Sequence, residues 1–334
     1  MAEPIPISFA DCFGWIHPGA ARRGVVLAAA FGLDGLSAHR AWRDLAERLA
    51  ARGLPTLRFD WAGTGDGLGD DRDPDRPAAW AASLAAAVDR LKADAKVDEV
   101  AIVALRLGAL IAAEVAATRS DVALFVAAAP VVSGRAFVRE QQTLARMLRV
   151  RGDDDPADAD EACGHAVAGF FMSEATASEL KTRDLRRRAV APAPRTLVLA
   201  RDGDAAALEL AEHWHGLGAT VETDAFPGLD ELLTDPTRAL IPDAAWSRIV
   251  DAIAADVAVE TDPRPLSART PARLVGPTWV EEPVLFGLEP RLFGIMSEPT
   301  APRAPDTAVV LLAAGRNPHV GWGRQTVDLA RTLA

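Results

Sequence analysis

Val100-Ala101-Ile102-Val103-Ala104-Leu105-Arg106-Leu107-Gly108-Ala109-Leu110-Ile111 is an apolar run broken once, near its middle, by an arginine. The part before Arg106 reads as a strand buried on both faces, and the part after it, Leu107 to Ala117, as a buried helix. The two require a sharp strand-to-helix turn at residue 106, with Gly108 allowing the helix to approach the sheet closely. The same alternation extends outward. Gly24 to Ala30 is an apolar run ending at Phe31-Gly32, and Ser37 is placed to cap a helix carrying Trp42, Leu45 and Leu49 on one face, closed by Gly53. Pro55 to Phe59 is a strand opening into the loop Asp60-Trp61-Ala62-Gly63-Thr64-Gly65-Asp66-Gly67, and a helix from about Pro77 carries Trp80, Leu84, Val88 and Leu91. Val122 to Ala129 is another strand. Residues 135–188 lose the alternation and read as a helical cap inserted over the sheet. Strand character returns at Arg195 to Ala200, followed by a helix through Leu208, Ala211 and Trp214, a strand at Thr220 to Ala225, and a helix bearing Trp246, Ile249 and Ile253. The pattern predicts an α/β fold over residues 1–257, a doubly wound and mostly parallel sheet.

The chain has 334 residues with 36 Lys and Arg against 47 Asp and Glu, a net charge of −11. An acidic surface of that size excludes nucleic acid and anionic membranes as partners in the absence of a basic patch. No secretory signal and no long uncharged apolar stretch is present, so a soluble, cytoplasmic protein is expected. Cys12 and Cys163 are too few for a disulfide framework and lack metal-ligand spacing to any His. No cofactor motif and no metal site is expected. Gly63, Gly65, Gly67 and Gly69 fit neither a dinucleotide fingerprint nor a P-loop, and the aspartates among them oppose phosphate. His213 and His215 point to different sides of a helix. His39 reads as a capping or surface residue, and Arg151-Gly152-Asp153 as a coincidental tripeptide in an acidic loop.

Residues 258–283, rich in Pro, Thr and Arg, read as a linker. Beyond it the chain starts again. Phe293-Gly294-Ile295-Met296 echoes Phe13-Gly14-Trp15-Ile16, and Val309-Val310-Leu311 and Asp328-Leu329-Ala330 repeat Val25-Val26-Leu27 and Asp44-Leu45-Ala46 at a constant offset of 284. Residues 284–334 therefore read as the truncated start of a second similar unit, expected to pack poorly unless it pairs with an edge or a second chain.

The Arg58-Phe59-Asp60 to Asp66 loop, the turn at residue 106 and Pro227-Gly228 resemble the α/β-hydrolase superfamily in its serine aminopeptidase-like branch, with exosortase-associated hydrolases as neighbours. The resemblance implies a Ser, Asp or Cys nucleophile on the turn in a G-x-S-x-G pattern, with backbone N–H groups stabilising the oxyanion. Here the pattern is Ala104-Leu105-Arg106-Leu107-Gly108, and a guanidinium is no nucleophile. The resemblance implies a late His near Asp230, yet no His lies between Thr220 and Val257; the implied acid falls at Asp202 or Asp204. Two readings of Arg106 stay open. It pairs with Asp204 or Asp230 as a structural lock, or it joins the Leu107 N–H and the loop Phe31 to Leu36, with Gly32, in an anion pocket for a carboxylate or phosphate ligand.

Two functions follow. The first unit is a catalytically inactive scaffold or ligand-binding module, with a small acyl or anionic ligand, a protein partner or a second copy as its company. Alternatively the protein hydrolyses ester, thioester or amide bonds of small acyl substrates, with catalysis in the second unit.

Overall fold

The structure is a computed structural model and describes residues 3–148, 164–257, 272–288, 292–301, 307–313 and 317–334. Cys163, the Arg151-Gly152-Asp153 tripeptide and residues 258–271 of the expected linker lie outside the described residues.

An antiparallel hairpin opens the chain, β1 (Ile5–Phe9) and β2 (Cys12–His17), followed by β3 (Arg23–Ala28), α1 (Gly32–Ala51), β4 (Thr56–Asp60) and α2 (Arg76–Ala95). Then come β5 (Glu99–Leu105), α3 (Leu107–Ala116), β6 (Val122–Ala128) and α4 (Gly134–Leu148). A small hairpin, β7 (Gly164–Val167) and β8 (Phe170–Ser173), and the helix Glu174–Lys181 complete the cap before β9 (Arg195–Ala200) and β10 (Thr220–Ala225). Eight strands form one sheet in the order β1-β2-β4-β3-β5-β6-β9-β10, parallel from β4 through β10. The first hairpin extends it antiparallel, with Trp15 opposite Arg58.

The period-2 geometry of β5 shows why its sequence is continuously apolar. Val100, Ile102 and Ala104 face one core with α2, α3 and the cap, while Ala101, Val103 and Leu105 face the other, with α1 and the helix Asp243–Ala254. Every residue from Val100 to Leu105 is fully buried, so neither face leaves a place for a polar residue.

Two local expectations change. The helix expected to be capped by Ser37 begins five residues earlier, at Gly32; Ser37 lies inside it and its hydroxyl donates to the Thr234 carbonyl at 2.6 Å. A buried serine within a helix needs such an acceptor, which a residue 197 positions away supplies. Among the described residues of the segment read as a helical cap, the β7–β8 hairpin lies between the helices Gly134–Leu148 and Glu174–Lys181.

Strand structure begins inside the segment read as linker. β11 (Leu274–Val275), β12 (Trp279–Phe286) and β13 (Leu292–Pro299) form a separate antiparallel sheet. Ala272, Leu274 and Trp279 are buried with Phe13, and Phe293 packs edge-on to Trp15 at 4.8 Å. The helix Gln325–Leu333 also forms. Val309-Val310-Leu311, by contrast, carries no strand, and Val309 and Val310 are exposed. Their sequence counterparts Val25, Val26 and Leu27 are strand residues because β4 and β5 flank them and satisfy their backbone groups. Among the described residues no helix is long and apolar enough to cross a membrane.

Candidate functional site

The turn joining β5 to α3 holds Arg106 at φ 52°, ψ −122°, a conformation that strains any residue with a Cβ. Backbone bonds fix it there: Arg106 N–H donates to the Ala128 carbonyl at 3.1 Å, and its own carbonyl accepts from Ala109 at 3.0 Å and Val131 at 3.2 Å. Gly108 makes the approach possible, because a Cβ at that position would lie 2.4 Å from the Ala29 carbonyl oxygen and 2.6 Å from that of Ala28. The geometry is that of a side-chain-presenting turn, and the side chain it presents is a cation.

The guanidinium is paired on two sides. Its Nε donates to Asp34 Oδ2 at 3.0 Å, in the first turn of α1, and its Nη2 to Glu140 Oε1 at 2.8 Å, on α4. Burial works against the charge, but the two carboxylates more than offset it and hold the arginine above its ordinary range. The partners differ from those expected from sequence. Asp204 caps the helix Ala205–Gly216, accepting from Ala207 N–H at 3.1 Å, and Asp230 is exposed, 3.7 Å from Arg201. A long arginine side chain reaches sideways to α1 and α4, whereas both late aspartates serve the ends of their own short segments.

Beside the turn a large pocket opens between the sheet's C-terminal edge, the cap hairpin and the C-terminal segment. Leu107, Phe31 and Gly32 line it; Arg106 does not. Its apolar wall is an aromatic stack, Phe31 lying 5.1 Å from Trp61 and 4.2 Å from Trp80. Among the described residues its lining contains neither Ser nor Cys. Its two hydroxyls are engaged, Thr64 donating to the Trp61 carbonyl at 2.9 Å and Thr176 accepting from Ser173 at 3.0 Å.

The opposite wall carries buried charge. His319 Nε2 lies 2.7 Å from Asp66 Oδ2, and Asp66 N–H donates to Asp60 Oδ2 at 3.1 Å. Burial and the neighbouring Asp66 carboxylate push Asp60 up to about 6. Burial alone would depress His319, but its bond to Asp66 raises it above the ordinary imidazole value. His39 is no surface cap: it lines the pocket, and burial, then Arg58 and His319, lower it to about 4. Nothing local in the sequence marks this group, since Asp66 and His319 are 253 residues apart. Among the described residues no group of His, Cys, Asp and Glu is arranged to hold a metal ion.

The sequence family described as serine aminopeptidase, S33, matches residues 25–154. No curated protein matches the chain in sequence. Among solved structures, the chain is similar to Est1E of Butyrivibrio proteoclasticus with ferulic acid bound, with TM-score 0.54, 16% identity, and coverage of 75% of this chain and 96% of that one. It is likewise similar to the esterase PF2001 of Pyrococcus furiosus, with TM-score 0.52, 16% identity and coverage of 74% and 87%. A putative hydrolase of Agrobacterium vitis gives TM-score 0.50 at 17% identity, covering 76% of this chain and 98% of its own.

Proposed function

We propose that this protein, an α/β-hydrolase of the serine aminopeptidase-like branch, is a non-hydrolysing member that holds a small acyl ligand in its pocket. The observation that carries this reading is Arg106. The position from which this fold presents its attacking atom is occupied by a permanently charged guanidinium locked between Asp34 and Glu140. An arginine already carrying two carboxylates has little capacity left for a third anion, which favours the lock over an anion pocket at residue 106. The aromatic stack offers an acyl or aryl body a dry, rigid surface. The absence of Ser and Cys from the described lining, and the engagement of both threonine hydroxyls, give that body nothing to react with.

The test combines binding with turnover. p-Nitrophenyl butyrate should quench emission from the pocket tryptophans while its hydrolysis stays at the rate of buffer, and a fluorophosphonate probe should leave the chain unlabelled. Arg106→Ser should behave identically, since no histidine lies between Thr220 and Val257, where this fold places the base that would activate the new hydroxyl. Covalent labelling of the parent, or catalytic ester hydrolysis by either protein, would refute the reading.

A further inference from the structure

We infer that the outer edge of β13 is a docking site for an extended, apolar strand of another polypeptide, which enters antiparallel and places an aromatic side chain over Gly294. The β12–β13 hairpin repeats the register of the β1–β2 hairpin. In the first hairpin Phe9 stands opposite Cys12, Ile7 opposite Gly14 and Ile5 opposite Ile16. In the later one Phe286 stands opposite Leu292, Val284 opposite Gly294 and Glu282 opposite Met296. The two differ in what covers them. β4 pairs with the other edge of β2, and Cys12 and Ile16 are 0% and 1% exposed. Leu292 and Met296, at the corresponding positions, are 58% and 44% exposed, and Phe286 is 50% exposed. Among the described residues no strand pairs with the outer edge of β13.

Gly294 points to the occupant. A glycine inside a strand weakens it and marks a place where something must approach closely. At Gly14 a Cβ would lie 2.8 Å from the Arg58 carbonyl oxygen and 2.9 Å from Phe59 Cβ, so this glycine is the notch against which β4 seats Phe59. At Gly294 a Cβ would meet only the Phe286 ring, at 3.5 Å, an ordinary contact, so nothing in the described chain requires glycine there. Phe59 also meets Phe9 edge-on, with ring centroids 5.9 Å apart, and the residue standing where Phe9 stands is Phe286. An aromatic side chain over Gly294 therefore finds the same edge-on partner, with Leu292 and Met296 on either side of the notch. The edge is also unguarded, since Leu292 to Ser297 contains neither the proline nor the charge by which exposed strands repel pairing. Main-chain hydrogen bonds would hold the incoming strand, and the notch would set its register. A second copy of the chain fits less well. The face of β13 that carries Gly294 presents Leu292, Met296 and Glu298, with no aromatic to fill a partner's notch, and β4 of a second copy is already enclosed between β2 and β3.

The probe is a fluorescein-labelled synthetic peptide with the sequence of residues 54–62, which contains β4, titrated with the full chain and read by anisotropy. It should bind saturably, and the same peptide carrying Phe59→Ala should bind about tenfold more weakly or worse. In the protein, Gly294→Ala puts a methyl group into the notch. It should weaken binding of the unmodified peptide about tenfold or more while leaving the urea midpoint of the protein unchanged, whereas Gly14→Ala, which meets β4, should lower that midpoint. Failure of the parent to bind the peptide, or binding indifferent to Gly294→Ala or to the loss of the peptide's phenylalanine, would overturn the inference. A parent that sediments as a dimer and that the peptide does not dissociate would assign the edge to a second copy, and would overturn it as well.

Discussion

Arg106→Met should unfold about 2 kcal/mol more readily than the parent, and Arg106→Gly should recover about half of that loss. The guanidinium side chain is 10% exposed, against 22% for Asp34 and 50% for Glu140. Removing one member of a fully buried pair costs roughly 3–5 kcal/mol, but the carboxylates here are partly hydrated, and Asp34 keeps the favourable field of the α1 N-terminus, so the cost falls below that range. Methionine fills the space, keeps the φ of 52° with its Cβ, and gives neither carboxylate a partner. Glycine makes no ion pair either, but removes a backbone strain of about 1 kcal/mol. Urea unfolding should therefore rank parent above Gly above Met, with unchanged m-values. A Met variant as stable as the parent would mean that the pairs contribute nothing and that Arg106 is not a lock.

That lock was half legible in the sequence. The turn was readable because its determinants are local: an apolar run buried on both faces of the sheet, a buried helix behind it and Gly108 against β3. The strands β3 to β6 were readable for the same reason. The partners of Arg106 were not, because Asp34 and Glu140 lie 72 and 34 residues away and only the packing of α1 and α4 over the sheet edge joins them. Following the family's order of catalytic residues led instead to Asp204 and Asp230, which cap or flank surface segments.

The charged pocket wall was hidden more completely. Arg is the common basic residue of this chain, so Arg76 and Arg324, which line the pocket, carry no compositional signal. The contacts of Arg324 join one glycine loop to a segment about 255 residues away. The echo of β3 at Val309-Val310-Leu311 shows the opposite failure: the sequence has the strand pattern, but among the described residues no strand pairs with it, whereas β4 and β5 flank β3.

Between pH 6.5 and 4.5, His17 alone should cost the protein about 2 kcal/mol of stability. Burial, then the neighbouring Arg58 and Arg43 charges, lower His17 from 6.5 to about 3. The ring is 2% exposed, and Arg58 Nε donates to its Nε2 at 3.2 Å, so a proton there would meet a donor and a cation. Below pH 6.5 the unfolded chain binds this proton and the native protein does not, and each pH unit of acidification then favours unfolding by about 1.4 kcal/mol. His39, lowered to about 4, acts in the same direction. Asp60 and His319 act in the opposite one, since their native values are raised. The His319–Asp66 contribution is complete below pH 6.5 and lost as pH rises through the native value of His319, and Asp60 takes up a proton as pH falls through about 6. Two depressed histidines outweigh one raised carboxyl on the acid side, so stability should fall from pH 6.5 to 4.5. His17→Gln, whose amide oxygen still accepts from Arg58, should flatten the dependence by nearly one proton over that interval, while His319→Gln should change only the neutral and alkaline side. A His17→Gln curve parallel to the parent's at pH 4.5–6.5 would mean that the imidazole takes its proton in the folded state and that the Arg58 contact does not exclude it.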